Sequence, residues 1–135
     1  MIFPEKIKAI ATANVALSAA IGARMFQSEA PEKVTLPCVV FMVHEEAIET
    51  HNTGLQATRP WKLYLYACGA TPLQAHQLAV LIKNAFVLYK ESEPGASDTD
   101  IQSITIDTGI VDLERTATTK EYPCSLILDV WEQIA

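Results

Sequence analysis

The segment that decides the fold is RPWKLYLYACGATPLQAHQLAVLIKNAFVLY, which runs from Arg59 to Tyr89. Its first part, from Trp61 to Cys68, consists of aromatic, aliphatic and small residues, which is the composition of a β-strand inside a sheet. Period-two alternation places these side chains on two opposite faces of the strand. One face holds Trp61, Leu63, Leu65 and Ala67, and the other holds Lys62, Tyr64, Tyr66 and Cys68. Gly69 ends the strand.

An amphipathic helix is predicted directly after this strand. Thr71 can cap its start, Pro72 suits the first helical position, and Gln74 can reach back to close a capping box. Apolar residues then recur at spacings of three and four: Leu78, Leu81, Ile82, Ala85, Phe86 and Tyr89. We therefore expect the helix to lie across a sheet, with Leu78, Ile82 and Phe86 facing it. The strand and the helix define a fold but carry no catalytic motif.

The N-terminal segment predicts one long helix. Residues 4–21 carry an apolar stripe at helical spacing, which includes the polar residue Asn14. Asn14 would need a hydrogen-bond partner if it were buried there. Gly22 is expected to end the helix, and residues 22–36 are expected to form a connection without regular structure.

The next segment predicts a long hairpin. The run Cys38–Val43 is apolar on both faces, which favours a central strand covered on both sides. Residues of about 36–47 are expected to pair with residues of about 57–68. The tip between them is polar and turns at His51–Gly54, so it should project into solvent.

A second hairpin is predicted after the Pro72 helix. Residues 91–100 are acidic, small and chain-breaking, and are expected to form a loop. Residues 101–114 predict a strand whose alternation slips near Thr108-Gly109, which indicates a β-bulge. Residues 115–121 predict a turn, and residues 122–132 the last strand.

The predicted fold class is α+β with the element order α-β-β-α-β-β. Two helices are expected to pack on a four-stranded, mainly antiparallel sheet. The 135 residues suit a single domain, 1–135. Ten basic residues against 16 acidic ones give a net charge of −6, which argues against a nucleic-acid-binding surface.

The cysteines and the N-terminal residues favour a cytosolic protein with reduced thiols. The three cysteines, Cys38, Cys68 and Cys124, are odd in number and form no C-x-x-C pair. They are expected to be buried, reduced thiols of a protein made in the cytosol. The start of the chain lacks the pattern of a secretory signal peptide, and no apolar run reaches the ~20 residues of a membrane span.

No catalytic residue, cofactor site or metal site is predicted from the sequence. The three histidines are His44, His51 and His76, and no spacing makes three or four ligands converge. His44, Glu46 and His51 could approach one another, but nothing in the sequence enforces it. The phosphate-loop, dinucleotide-binding, zinc-protease and nucleophile-elbow motifs are all missing.

With the element order in place, the sequence resembles the tail-terminator, or tail-completion, proteins of long-tailed bacteriophages. The resemblance runs almost from end to end. Its features are the N-terminal helix, the segment Ile21–Phe26, the strand opening Leu36–Phe41, the strand–Thr-Pro–helix joint and a final hairpin ending in Leu128–Glu132. It is one of pattern and offers no set of functional residues that can be transferred individually.

The resemblance implies a non-enzymatic structural protein that forms a ring, commonly a hexamer. Such a ring caps the tail tube, ends tube polymerisation and provides the surface that joins the head. Its partners would be further copies of the chain, the phage tail-tube protein and a head–tail connector protein. DNA would pass through it without specific binding, and no membrane would be involved. The protein would be assembled in the host cytoplasm and reside at the head-proximal end of the tail.

Interface or channel residues are predicted from charge and position. A channel for DNA should carry negative or neutral groups rather than lysine and arginine. The candidates are Glu45, Glu46, Glu49, Thr50 and His51 at the hairpin tip, and Glu91, Glu93, Asp98 and Asp100 in the acidic loop. Residues 91–114 hold seven acids and no base, whereas residues 57–90 hold four bases and no acid. Such opposite patches suit contacts between subunits, but they also suit two solvated faces of a monomer.

Two other functions stay open at this point. One is another component of the head–tail connector. The other is a small α+β ligand-binding domain or enzyme with a cleft that the sequence does not reveal. The first would form a defined oligomer, and the second would have a concave pocket with perturbed ionisable groups.

Overall fold

A computed structural model describes residues 2–31, 33–46, 50–51, 54–55, 58–87, 89, 101–113 and 121–133. The helices in these residues are α1 (Phe3–Ala13), α2 (Val15–Ile21) and α3 (Pro72–Val87). The strands are β1 (Met25–Gln27), β2 (Cys38–Glu45), β3 (Thr50–His51), β4 (Gly54–Leu55), β5 (Thr58–Gly69), β6 (Ile101–Asp112) and β7 (Tyr122–Gln133).

The main sheet is five-stranded and mixed, in the order β1-β2-β5-β7-β6. The predicted four-stranded, mainly antiparallel sheet with two helices is therefore wrong. The extra strand is β1, which lies inside the segment predicted as a connection. It pairs in parallel with β2. Arg24 anchors it, because its carbonyl accepts from the Val39 N–H at 3.0 Å and its Nε donates to the Pro37 carbonyl at 2.9 Å. Three residues are too few for alternation to reveal a strand.

The N-terminal helix is broken in two at Asn14, which is the second correction. The Asn14 backbone is extended, with φ −83° and ψ 115°, and its side chain accepts a hydrogen bond from the Leu17 N–H at 2.9 Å. Asn14 is therefore the N-cap of α2 rather than a polar residue inside one helix. Gly22 ends α2 as predicted, and its φ of +58° is a conformation that favours glycine.

The junction between β5 and α3 confirms the predicted helix start. The Gln74 N–H donates to Thr71 Oγ1 at 3.1 Å. Gln74 Oε1 accepts from the Ala70 N–H at 2.7 Å, one residue earlier than in a standard capping box. A Cβ at Gly69 would lie only 2.5 Å from the Ala75 nitrogen, so glycine is needed for α3 to turn back closely over β5.

Both predicted hairpins are confirmed in the described residues. β2 pairs antiparallel with β5, from Cys38 opposite Cys68 to Glu45 opposite Trp61. β6 and β7 also pair antiparallel, with register shifts on either side of Thr108, where the bulge was expected. β3 and β4 form a separate two-stranded ladder within the predicted hairpin tip.

The two faces of the main sheet differ, and we call them the covered face and the open face. The covered face carries Leu63 and Leu65 of β5, and all three helices add buried residues to the core there. Leu78, Ile82 and Phe86 of α3 are buried in this core, as predicted. The open face carries the alternate residues of the same strands. Met42 lies on it with 39% of its surface exposed, so the prediction that β2 is covered on both sides is wrong.

Candidate functional site

The predicted tip residues Glu45 and Glu46 lie at the end of β2 and directly after it. Arg59 Nε is 3.1 Å from Glu45 Oε1, although the two are not aligned for a hydrogen bond. Glu46 Oε1 is 3.8 Å from Lys62 Nζ. Each carboxylate therefore has a cationic neighbour within its own chain, and each is only partly exposed.

The remaining candidates are described only in part. Thr50 and His51 form β3, which pairs with β4. The others lie outside the described residues: Glu49, Glu91, Glu93, Asp98 and Asp100. Their assignment to an interface or channel stays a prediction.

One end of the open face carries a charged cluster around Lys62. Its Nζ lies 2.8 Å from Asp129 Oδ1, 3.4 Å from Asp107 Oδ2 and 3.8 Å from Glu46 Oε1. The hydrogen bond to Asp129 raises the pKa of Lys62 above its usual value, so the ammonium stays charged. The contact with Asp107 joins the basic block 57–90 to the acidic block 91–114 inside one chain. Some of the opposite charges of the two blocks therefore pair within one chain and need no second subunit.

The centre of the open face is apolar, and we call it the open-face patch. Its members lie on the same face of four strands: Val40 and Met42 on β2, Tyr64 and Tyr66 on β5, Ile127 on β7 and Val111 on β6. Two polar residues lie among them, Ser125 opposite Val111 and Thr108 opposite Ile127. Val111 is 41% exposed, and Met42 is exposed to a similar degree. Apolar side chains that cluster on an exposed face are typical of surfaces that contact another protein.

A long strand edge adjoins this patch. β6 has 12 residues and pairs with β7 along one side. Along its other side it pairs with no strand in the part of the chain that the structure describes. Such an edge offers backbone N–H and C=O groups to a neighbouring chain. The bulges around Thr108 interrupt the regular ladder, which limits uncontrolled edge pairing.

A buried salt bridge connects α1 to the covered face of the sheet. Lys6 of α1 forms a salt bridge with Glu132 of β7, and both side chains are buried. Trp61 Nε1 also donates to Glu132 Oε1 at 3.1 Å. The Phe3 ring stacks on Trp61 with a centroid distance of 4.2 Å and an interplanar angle of 3°. These contacts hold the helix on the sheet.

A mixed donor cluster lies at the opposite end of the covered face. Cys124 Sγ donates to Asp112 Oδ1 at 2.9 Å, and His76 Nδ1 lies 3.5 Å from the same oxygen. Burial and then the Asp112 carboxylate raise the pKa of the Cys124 thiol to about 12. The hydrogen bonds from Cys124 and then His76 hold the pKa of Asp112 below its usual value. A thiol with so high a pKa is a weak nucleophile, so the cluster does not suit cysteine catalysis.

Sequence reasoning missed this cluster, although one signal was present. The predicted turn 115–121 is centred on residue 118, and a hairpin symmetric about that residue pairs 112 with 124. The structure shows this pair in register, Asp112 opposite Cys124. His76 could not have been added, because its distance from the hairpin depends on how α3 packs.

The other two cysteines form a cross-strand pair. Cys38 on β2 stands directly opposite Cys68 on β5, and both are buried and free. The neighbouring Cys38 thiol and burial raise the pKa of Cys68. All three cysteines are buried and free, and their predicted burial is confirmed.

Two pockets lie on the helical side of the molecule and are lined mainly by apolar and uncharged residues. One is lined by residues of α1, including Lys8, and by the segment from Ile21 to Met25, and the other lies between α2 and α3. The described residues that line them include no histidine, cysteine or acid. Among the described helices, none has the length and apolar character needed to cross a membrane.

Comparisons with known proteins establish a fold but no family. No protein-family model and no curated protein sequence matches it. Its fold is similar to that of a chain in a solved structure of the virion of a native gene transfer agent particle. The TM-score is 0.65 at 15% sequence identity, and the match covers 95% of this chain and 92% of the other. At this level of identity the likeness establishes a shared fold.

Proposed function

We propose that this protein is a structural component of a phage-type virion that caps the tail tube as a ring, ends tube polymerisation and provides the surface that joins the head. The observation that carries the proposal is the shared fold with a chain of a gene transfer agent virion over nearly the full length of both chains. The end-to-end resemblance of the sequence to tail-terminator proteins supports the same role. The role is non-enzymatic and needs no cofactor.

The open-face patch supports an assembly role. Aromatic and aliphatic residues of four neighbouring strands stand together on a face that no described helix covers. A protein that acts alone has little reason to keep such a surface in water. In this proposal the patch and the free edge of β6 contact other subunits of the particle, which are copies of this chain or the adjoining tail-tube and connector proteins.

The charge of the chain fits a conduit for DNA. A net charge of −6 repels phosphate, so DNA can pass without being held. Lys62, a base that could bind phosphate, is surrounded by Asp129, Asp107 and Glu46 on the open face. Within the proposal, Glu45 and Glu46 remain candidates for the channel or the neighbouring ring, together with the predicted residues of the tip and the acidic loop.

Deletion of the gene tests the proposal, with particle morphology read by electron microscopy. A terminator that ends tube polymerisation should leave tails longer than normal when it is absent. Tails of normal length that fail to join heads would instead assign the protein to the head–tail connector. Normal particles in the deletion strain would overturn a role in the virion.

A further inference from the structure

We propose that His76, Asp112 and Cys124 form a binding site for one zinc ion, with a water molecule as the fourth ligand. The three residues come from three elements: His76 from α3, Asp112 from the end of β6 and Cys124 from the start of β7. Their ligand atoms all lie within 4.8 Å of one another. The inference stands on this geometry and does not depend on the proposed role in the virion.

The donor set selects the metal. One thiolate sulfur, one imidazole nitrogen and one carboxylate oxygen suit Zn²⁺, whereas Mg²⁺ and Ca²⁺ require oxygen donors. In a tetrahedral zinc site the edge between nitrogen and oxygen ligands is ~3.4 Å, and the edge between sulfur and oxygen is ~3.6 Å. The first agrees with the 3.5 Å between His76 and Asp112.

The other two edges must change for the three residues to share an ion. The ligand atoms of Cys124 and His76 lie within 4.8 Å and should be ~3.6 Å apart in a tetrahedral site, so they approach by at most ~1.2 Å. Cys124 Sγ and Asp112 Oδ1 are now 2.9 Å apart, the distance of a hydrogen bond, and must separate by ~0.7 Å to share an ion. Asp112 can supply this movement by rotating its carboxylate, because its side chain is 73% exposed. The same exposure leaves the fourth position open to water.

The scaffold holds the three ligands from both sides. Asp112 and Cys124 are cross-strand partners, so the ladder between β6 and β7 fixes their separation. His76 lies in the first turns of α3, whose position is set by the close approach of Ala75 to Gly69. A zinc ion here would tie the start of α3 to the end of the β6–β7 hairpin.

Zinc binding would replace the hydrogen bond between Cys124 and Asp112 with coordination of the ion by both side chains. Without the ion the Cys124 thiol keeps its proton and donates to Asp112. When Zn²⁺ binds, the sulfur coordinates as thiolate and the proton leaves to solvent. Because the folded chain presents all three ligands together and the unfolded chain does not, zinc should also raise the thermal midpoint.

The test uses the full chain, stripped of metal by a chelator and titrated with Zn²⁺ and Co²⁺. We expect one ion per chain, and with Co²⁺ a thiolate-to-metal charge-transfer absorption. Cys124→Ser should abolish this absorption. His76→Gln and Asp112→Asn should each weaken binding by at least about tenfold, since even residues that only support zinc ligands contribute that much. Both substitutions affect exposed side chains, so they remain informative if Cys124→Ser fails to fold.

Matched controls separate this site from the other cysteines and histidines. His44→Gln replaces another exposed histidine and should leave zinc affinity unchanged. The double variant Cys38→Ser/Cys68→Ser should keep the charge-transfer absorption. Absence of stoichiometric binding would overturn the proposal. Binding that survives His76→Gln, or that follows Cys38 and Cys68, would overturn it as well.

Discussion

The covered face and the open face belong to the same strands, yet they differ in what lies over them. Along β5, Leu63 and Leu65 are fully buried beneath the helices, whereas Tyr64 and Tyr66, one step along the chain, keep part of their surface in water. Both faces are apolar at their centre. Hydrophobicity alone therefore does not define the core of this sheet, because the helices cover only one of its two apolar faces.

The largest effect is expected on the covered face. Phe86→Ala should lower the free energy of unfolding by about 3–5 kcal/mol, because a fully buried ring is removed and a cavity remains. Val87→Ala, at the next and partly exposed position, should change it by no more than about 0.5 kcal/mol. Chemical denaturation of both variants measures the difference. Equal midpoints would mean that the covered face is not the core.

The next effect concerns the buried salt bridge that fastens α1 to the covered face. Glu132→Gln should cost about 3 kcal/mol, because it leaves the Lys6 ammonium buried without its carboxylate. Adding Lys6→Met should recover part of this loss, since the unpaired charge is then removed. Thermal and denaturant unfolding of the single and double variants gives the comparison. A double variant less stable than the single one would contradict this explanation.

A smaller effect on stability is expected at the hairpin tip. The triple reversal Glu45→Lys, Glu46→Lys and Glu49→Lys should cost no more than about 1 kcal/mol, as partly exposed ion pairs contribute little. It should nevertheless impair tail completion or head joining, visible as overlong or unjoined tails. Glu29→Lys, at another exposed acid, serves as the control. If the triple variant assembled normal infectious particles, these three residues would have no role in the channel or interface.

The parts predicted correctly are those where several local signals agree. The strand ending at Gly69 and the helix starting at Pro72 combine alternation, a cap and a helical stripe, and each of these acts over a few residues. The bulge near Thr108 was visible for the same reason, because a phase slip is local. The buried faces of β5 and α3 followed directly from these patterns.

The parts missed depend on contacts distant in sequence or on a choice between two local conformations. β1 has only three residues and exists because β2 lies beside it. Asn14 fitted the apolar stripe by spacing, but its side chain stabilises a new helix start instead. The exposure of Met42 could not be read from an apolar run, since a run shows hydrophobicity and not which layer covers it. The position of His76 beside Asp112 and Cys124 depends on how α3 packs against the sheet, which no local pattern shows.

Complementation of the deletion strain with matched pairs of lysine substitutions tests whether the open face takes part in virion assembly. Met42→Lys/Val111→Lys alters the open-face patch, and Val80→Lys/Val87→Lys alters residues of α3 that are each 37% exposed. Each substitution should shift stability by no more than about 0.5 kcal/mol, as measured by thermal unfolding. We predict that the wild-type chain and the α3 variant restore joined tails of normal length, whereas the open-face variant does not. Restoration of normal particles by the folded open-face variant would contradict the assignment of this face to virion assembly.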